Sequence, residues 1–167
     1  IEISNTLFFG NQSVSGGAME LFFSSGIVLD NLTISDNIAS EQAGGVFCSE
    51  SENISISNTV IYNNGSQSIY FNPVDGLNAL SFDYSNIQGG QDSIGINDNG
   101  TVTWGIGNID VDPNFLDTEN DDYHLLASSQ CINGGNPDST DSDGSRADMG
   151  AYPYLNSYSG PTWYITE

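Results

Sequence analysis

Asp138, Asp141, Asp143 and Asp148 fall within the eleven residues 138–148 of "NPDSTDSDGSRADMGAY", with Gly144 among them to allow a tight turn. Hard carboxylate oxygens crowded on one loop suit Ca²⁺, which accepts about six to eight oxygens in flexible geometry. The spacing is not that of an EF-hand, since no glutamate stands at the twelfth position. A calcium site on these aspartates is therefore expected. The competing reading is an acidic turn whose carboxylates cap backbone amides and pair with Arg146. Asp110 and Asp112, in "NIDVDPNF", are two apart on an extended stretch and so share a side. They read as caps ahead of Pro113, or as contributors to the same cation site.

The same inventory argues against catalysis. His124, in "DYHLL", is the only histidine, and no motif marks a serine or cysteine nucleophile for it to activate. A structural histidine is expected. Lyase chemistry on uronic acids needs positive charge on the substrate carboxylate, and one arginine with one histidine cannot line a groove. For hydrolysis, Asp30 and Asp83 share a repeat column but Ser57 lies between them. Two rungs of about 4.8 Å each put them at the outer limit for an inverting pair and far beyond a retaining one. No catalytic residue is assigned.

Composition narrows the partners. The chain has 167 residues, with 22 acidic residues against one basic and a formal net charge of −21. Nucleic acid and anionic membranes are excluded as partners, because nothing here neutralises phosphates. Cations and neutral or basic surfaces remain. No apolar run approaches the roughly 20 residues of a membrane span, and no signal peptide is visible. The chain starts at Ile1 without a methionine and reads as a processed product or a piece of something longer. Cys48 and Cys131 read as two small buried thiols, with pairing left open.

Positioning these residues is the task of a repeat. "IEISNTLFFGN", "IVLDNLTISDN", "ISISNTVIYNN" and "LSFDYSNIQGG" start at 1, 27, 54 and 80, spacings of 26, 27 and 26 residues. The first column reads Ile1, Ile27, Ile54, Leu80, the third Ile3, Leu29, Ile56, Phe82, and the eighth Phe8, Ile34, Ile61, Ile87. The second reads Glu2, Val28, Ser55, Ser81, as an outward face should with one exception. Apolar residues two apart indicate half-buried strands. The change of parity between columns three and eight requires a bend. Column five, with Asn5, Asn31 and Asn58 but Tyr84, offers one, because asparagine tolerates left-handed backbone. A double glycine returns, in "SGGAME" and "AGGVFC", but not in the third coil. This unit, with no helical periodicity, predicts a parallel β-solenoid whose coils are stable only when stacked. The expected organisation is coils over 1–108, a terminal coil and acidic cap over 109–154, and a linker or following unit over 155–167. Five sequons, at Asn11, Asn31, Asn53, Asn64 and Asn99, are explained in part by turns.

The repeat resembles bacterial secreted and cell-surface right-handed parallel β-helix proteins. "FFGN" with "GGAM", "ISDN" with "GGVF", and "IYNN" are similar to the repeat motifs of polymorphic outer-membrane proteins and related adhesins. "GNIDVDPNF", "DYHLLASSQCINGG" and "DSDGSRADMGAYPY" resemble, in that order, the closing module of many such proteins. "SGPTWYITE" resembles the opening strand of a further unit. The resemblance implies an extracellular or cell-surface location and a role in adhesion, recognition or filament assembly, with glycans or a host or cell-surface protein as partners. Open terminal rungs also allow head-to-tail self-association. The alternative is the C-terminal part of a polysaccharide lyase or glycoside hydrolase with its active site upstream.

Overall fold

The computed structural model describes residues 1–155 other than Ser66 and Asp75. Residues 156–167, with most of the expected linker and all of "SGPTWYITE", lie outside the described residues. The chain winds as a parallel β-solenoid of about four turns. The first coil carries β1 (Glu2–Phe9), β2 (Gln12–Ser15) and β3 (Met19–Phe22). The second carries β4 (Ser25–Ser35), β5 (Ile38–Gln42) and β6 (Val46–Ser49). The third carries β7 (Glu52–Ser57), β8 (Val60–Tyr62) and β9 (Ile69–Phe71). β10 (Asn78–Asp83) and β11 (Asn86–Ile87) form the fourth, and β12 (Gly100–Trp104) opens a partial fifth.

Every strand pairing between coils is parallel, and the register is that of the sequence columns. Ile3 faces Leu29, Leu29 faces Ile56 and Ile56 faces Phe82. Phe8, Ile34, Ile61 and Ile87 run likewise. Leu29, Ile56 and Phe82 are buried, and each such side chain contributes about 1.5–3 kcal/mol by leaving water. Ile1 departs from its column. It lies on the first described rung, exposed, with its carbonyl accepting Val28 N–H at 2.9 Å and its ammonium donating to Gly26 O at 3.2 Å.

The change of parity is made where column five places it. Asn5, Asn31 and Asn58 have φ of 49°, 51° and 49°. Tyr84, which breaks the residue series, does not break the conformation, with φ of 48°. A tyrosine held there costs roughly 1–2 kcal/mol, so the stacked register outweighs local preference. The residue after each bend then does a second job. The hydroxyls of Thr59 and Ser85 donate to the carbonyls of Ser57 and Asp83, two residues back, at 2.7 and 3.0 Å. The same oxygens accept the N–H of Leu32 and Thr59 from the preceding coil, both at 3.2 Å.

Two other corners repeat the device. Asn37 Oδ1 accepts Asn11 N–H and Asn64 Oδ1 accepts Asn37 N–H, both at 3.1 Å. Ser51 Oγ accepts Ser24 N–H at 3.2 Å, and Asn78 Oδ1 accepts Ser51 N–H at 3.1 Å. These polar side chains are buried. Among the described residues no buried side-chain polar atom lacks a partner, which is the condition for polar ladders inside a narrow core.

The double glycine returns out of step. Met19 faces Val46, so Gly17 stacks on Gly44 rather than on Gly45. A Cβ on Gly17 would lie 2.2 Å from Gly44 O, and one on Gly44 would lie 2.1 Å from Gly65 O. The pair is lost in the third coil, where Gly44 pairs with Gln67 and the Gly65 backbone passes beside it.

The 109–154 segment starts as a rung and then leaves the stack. Ile109 bridges Asn86, after which β13 (Phe115–Asp117) and β14 (Asp122–Leu125) form an antiparallel hairpin. The chain then returns along the outer face of the sheet built from the second half of β4 with β8 and β11. Val60, on that outer face, is buried in a second small core with Leu125, Cys131 and Met149. Asn58 O accepts Gly150 N–H at 2.8 Å, and Thr33 Oγ1 accepts Ala151 N–H at 3.0 Å.

Candidate functional site

Where the hairpin meets the coils, an open cleft of about 290 Å³ is lined by Ser35, Asp36, Tyr62, Asn63, Asp112 and Asn114, with Phe115 and Thr118. Asp36 and Asn63 occupy column ten, with left-handed φ of 58° and 53°, which turns their side chains out at the corner before Asn37 and Asn64. Asp36 Oδ2 accepts the Tyr123 hydroxyl at 2.7 Å and Ser35 Oγ at 3.0 Å. Its other oxygen accepts Asn63 Nδ2. The Tyr123 ring packs between Phe9 and Phe115, at centroid distances of 5.3 and 5.2 Å. Burial, the hydrogen bond to Asp36 and the charges of Asp36 and Asp121 push the Tyr123 phenol far above its usual range. It is a fixed donor that locks Asp36 in place.

Across the cleft, Asp112 Oδ1 accepts Asn114 N–H at 2.8 Å. Burial raises the Tyr62 phenol, with Asp112 and Asp110 adding negative charge beside it. Asp110 itself accepts Gly89 N–H at 2.9 Å. A second hollow of about 420 Å³ adjoins the first through Asn63 and is lined by Asn64, Gln67, Ser68, Gln88, Gly89 and Ser93. Carboxylates and carboxamides with no cation among them suit neutral, hydroxyl-rich or cationic groups. They would repel an anion.

The four aspartates of the closing segment are used chiefly by the backbone. Asp148, 1% exposed, accepts Asn133 N–H and Tyr154 N–H, each at 2.6 Å and each on its own oxygen. Asp141 Oδ2 accepts Asp148 N–H at 3.0 Å. Asp143 Oδ1 accepts Ser145 N–H and Ser145 Oγ at 3.0 and 2.5 Å. Burial raises the carboxyls of Asp141 and Asp148, and like charge adds to it, from Asp148 and Asp143 on Asp141 and from Asp143 on Asp148. No hydrogen bond joins Asp138 to the other three. Among the described residues, no three His, Cys, Asp or Glu side chains are grouped as metal ligands. Arg146 pairs with none of these aspartates. Its Nε donates to Gly135 O at 2.7 Å and its guanidinium lies 5.8 Å from the Tyr84 ring centroid.

The remaining candidates are scattered. His124 is exposed, with Nδ1 2.7 Å from Asp122 Oδ1 and its ring stacked on Tyr152 at 4.6 Å. That hydrogen bond holds the Asp122 carboxyl below its usual range. Asp30 and Asp83 both face Ser57, one rung to either side. Asp30 accepts Ser57 Oγ and Asn58 Nδ2 at 2.6 and 2.9 Å, and Asp83 accepts Ile106 N–H at 3.1 Å. Cys48 and Cys131 are free and buried in different cores. Burial pushes the Cys48 thiol up to about 12 and raises Cys131 as well.

Asp36, Tyr62, Asn63 and Tyr123 were not among the sequence candidates. Column ten, which reads Gly10, Asp36, Asn63, Gly89, carried a signal, since all four have positive φ and mark an outward corner. Nothing in the period pointed to Tyr123. Comparison with protein-family models, with curated proteins and with solved structures returned no match to this chain.

Proposed function

We propose that the chain is a non-catalytic extracellular surface module that works in adhesion or recognition, with its ligand held on the outside of the coils. The observation that carries this reading is the shape of the concave surface. Its clefts of about 290 and 420 Å³ are shallow and joined along a corner of the solenoid, as a contact face for an extended ligand would be. The carboxylates of these clefts are each engaged: Asp36 by Tyr123, Asn63 and Ser35, and Asp112 by a backbone amide. A general base needs reach to a substrate proton, and these bonds hold the carboxylates as anchors instead. Glycans suit the cleft chemistry, because carboxamides and carboxylates pair with vicinal hydroxyls.

Calcium is the second element of the proposal. It rests on mutual repulsion among Asp141, Asp143 and Asp148, which a bound divalent ion would relieve. Neutral and acidic polysaccharides provide the decisive test. Incubation should release no reducing or unsaturated ends, while a neutral glycan retained by the protein should be lost on Asp36→Ala or Asn63→Ala. Cleavage abolished by Asp36→Asn or Asp112→Asn would replace this reading with that of a hydrolase.

A further inference from the structure

A different corner of the solenoid carries a groove that the cleft chemistry does not use. The residues just before Ser24, Ser51, Asn78 and Asn99 are Phe23, Glu50, Leu77 and Asp98. They occupy successive rungs, since Ser24 N–H donates to Ser51, Ser51 N–H to Asn78, and Asn78 N–H to Asn99 O. Apolar and acidic side chains therefore alternate along the axis at about 4.8 Å per rung. Phe23 is 71% and Leu77 72% exposed. Two adjoining hollows of about 450 and 340 Å³ share Glu52 and Leu77, and run from Phe23 and Glu50 to Asp98 and Thr101.

Large apolar side chains this exposed mark contact surfaces when they adjoin rather than stand singly. Charge then selects the occupant. Glu50, Glu52 and Asp98 rim the groove, and the chain's single Lys or Arg residue, Arg146, is committed to Gly135 O and the Tyr84 ring. A second copy would bring a net charge of −21 against the same rim, and anionic surfaces fail for the same reason.

We propose that the corner groove formed by Phe23, Glu50, Glu52, Leu77 and Asp98 docks an extended polypeptide segment of a partner protein in which apolar and basic side chains alternate at every second residue, and so along one face. The apolar groups of the partner cover Phe23 and Leu77, and its cations sit on the carboxylates between them. This rests on the reading of the chain as a recognition module and names one class of partner for it.

The test uses a fluorescent synthetic peptide repeating leucine–serine–lysine–serine (the lysine–leucine peptide), with one of equal charge in which serine replaces leucine (the lysine–serine peptide) beside it, in anisotropy titrations at physiological salt. The lysine–leucine peptide should bind more tightly, and Phe23→Ser with Leu77→Ser should weaken it about tenfold while leaving the lysine–serine peptide unchanged. Glu50→Gln with Glu52→Gln should weaken it more than Asp117→Asn with Glu119→Gln, a pair that removes the same charge from the hairpin. Equal loss from both charge pairs, or no preference for leucine over serine, would overturn the groove and leave only non-specific attraction. The polysaccharide assay fails separately. Released sugar ends would sink the non-catalytic reading without touching the peptide titrations.

Discussion

In the coils, Asn37 takes the N–H of Asn11 and hands its own N–H to Asn64, and Ser51 and Thr59 do the same at the other two corners. In the flanking segment, Asp148 takes two amides from Asn133 and Tyr154, a bond pattern that occurs nowhere else among the described residues. Both regions bury polar groups with partners. The coils do it with one corner device used repeatedly, so losing one copy leaves the neighbours with theirs. The flank does it with single bonds between residues far apart in sequence, such as Asn31 Nδ2 to Asp148 O at 3.2 Å and Tyr123 to Asp36. Redundancy belongs to the stack, and uniqueness to the segment that braces it.

The contrast is sharpest at the core. Ile56→Asp puts an unpaired charge between Leu29 and Phe82 and should cost more than about 3 kcal/mol. Far-UV circular dichroism should show loss of the strand signal, and a wild-type melt would mean that the stack is not what holds the chain. Asp148→Ala comes next. It strips the Asn133 and Tyr154 amides of their carboxylate acceptor, and a hydrogen bond to a charged group contributes about 1.5–3 kcal/mol. Hydrogen exchange should then quicken across 131–151 while the amides of β4, β7 and β10 keep their protection. Loss of protection in both regions together would erase the distinction drawn here. Asn37→Ala should cost roughly 1–3 kcal/mol, with exchange quickened only near Asn11, Asn37 and Asn64.

A smaller effect separates the two regions by pH. Burial and like charge raise the Asp141 and Asp148 carboxyls, so the folded chain binds protons more readily than the unfolded one. That contribution is full below the ordinary carboxylate value and is lost as pH climbs through the raised folded values. Tm should therefore rise as the pH is lowered from neutral toward about 5, and Asp148→Asn should flatten the slope. A flat wild-type profile would show that the segment is not under charge strain. Calcium should act in the same place and more weakly, raising Tm on addition and lowering it on chelation. Sodium chloride should reproduce only part of the rise, and Asp143→Asn should diminish the calcium response. An unmoved melting curve removes calcium from the proposal.

The coils were legible because their physics repeats. Columns one, three, five and eight gave strand register to the residue, including the left-handed bend that Tyr84 shares against its own preference. "TLFF" and "TVIY" are apolar in consecutive positions, which is what a strand covered on both faces looks like. Val60, facing outward and buried, is where the flank lands. The flank itself had no period to read. That Asp148 would serve Asn133 and Tyr154, or Tyr123 would seek Asp36 across 87 residues, follows from a three-dimensional meeting that no spacing encodes. Crowded aspartates look alike on paper whether they face an ion or a backbone amide.

The neighbouring residues Gly150 and Ala151 reach Asn58 and Thr33, which sit on adjacent coils. Consecutive α-carbons are about 3.8 Å apart and rungs about 4.8 Å, so the match works for coils in immediate succession and for no other arrangement. A solenoid ordinarily gains or loses whole repeats with little penalty, because each touches only its neighbours. Here an extra coil duplicated between the second and third would stack well yet draw the two anchor points about twice as far apart, beyond what adjacent residues can span. The flank is thus a gauge of coil number, and it makes this stretch of the solenoid a fixed length in a fold otherwise free to lengthen by duplication.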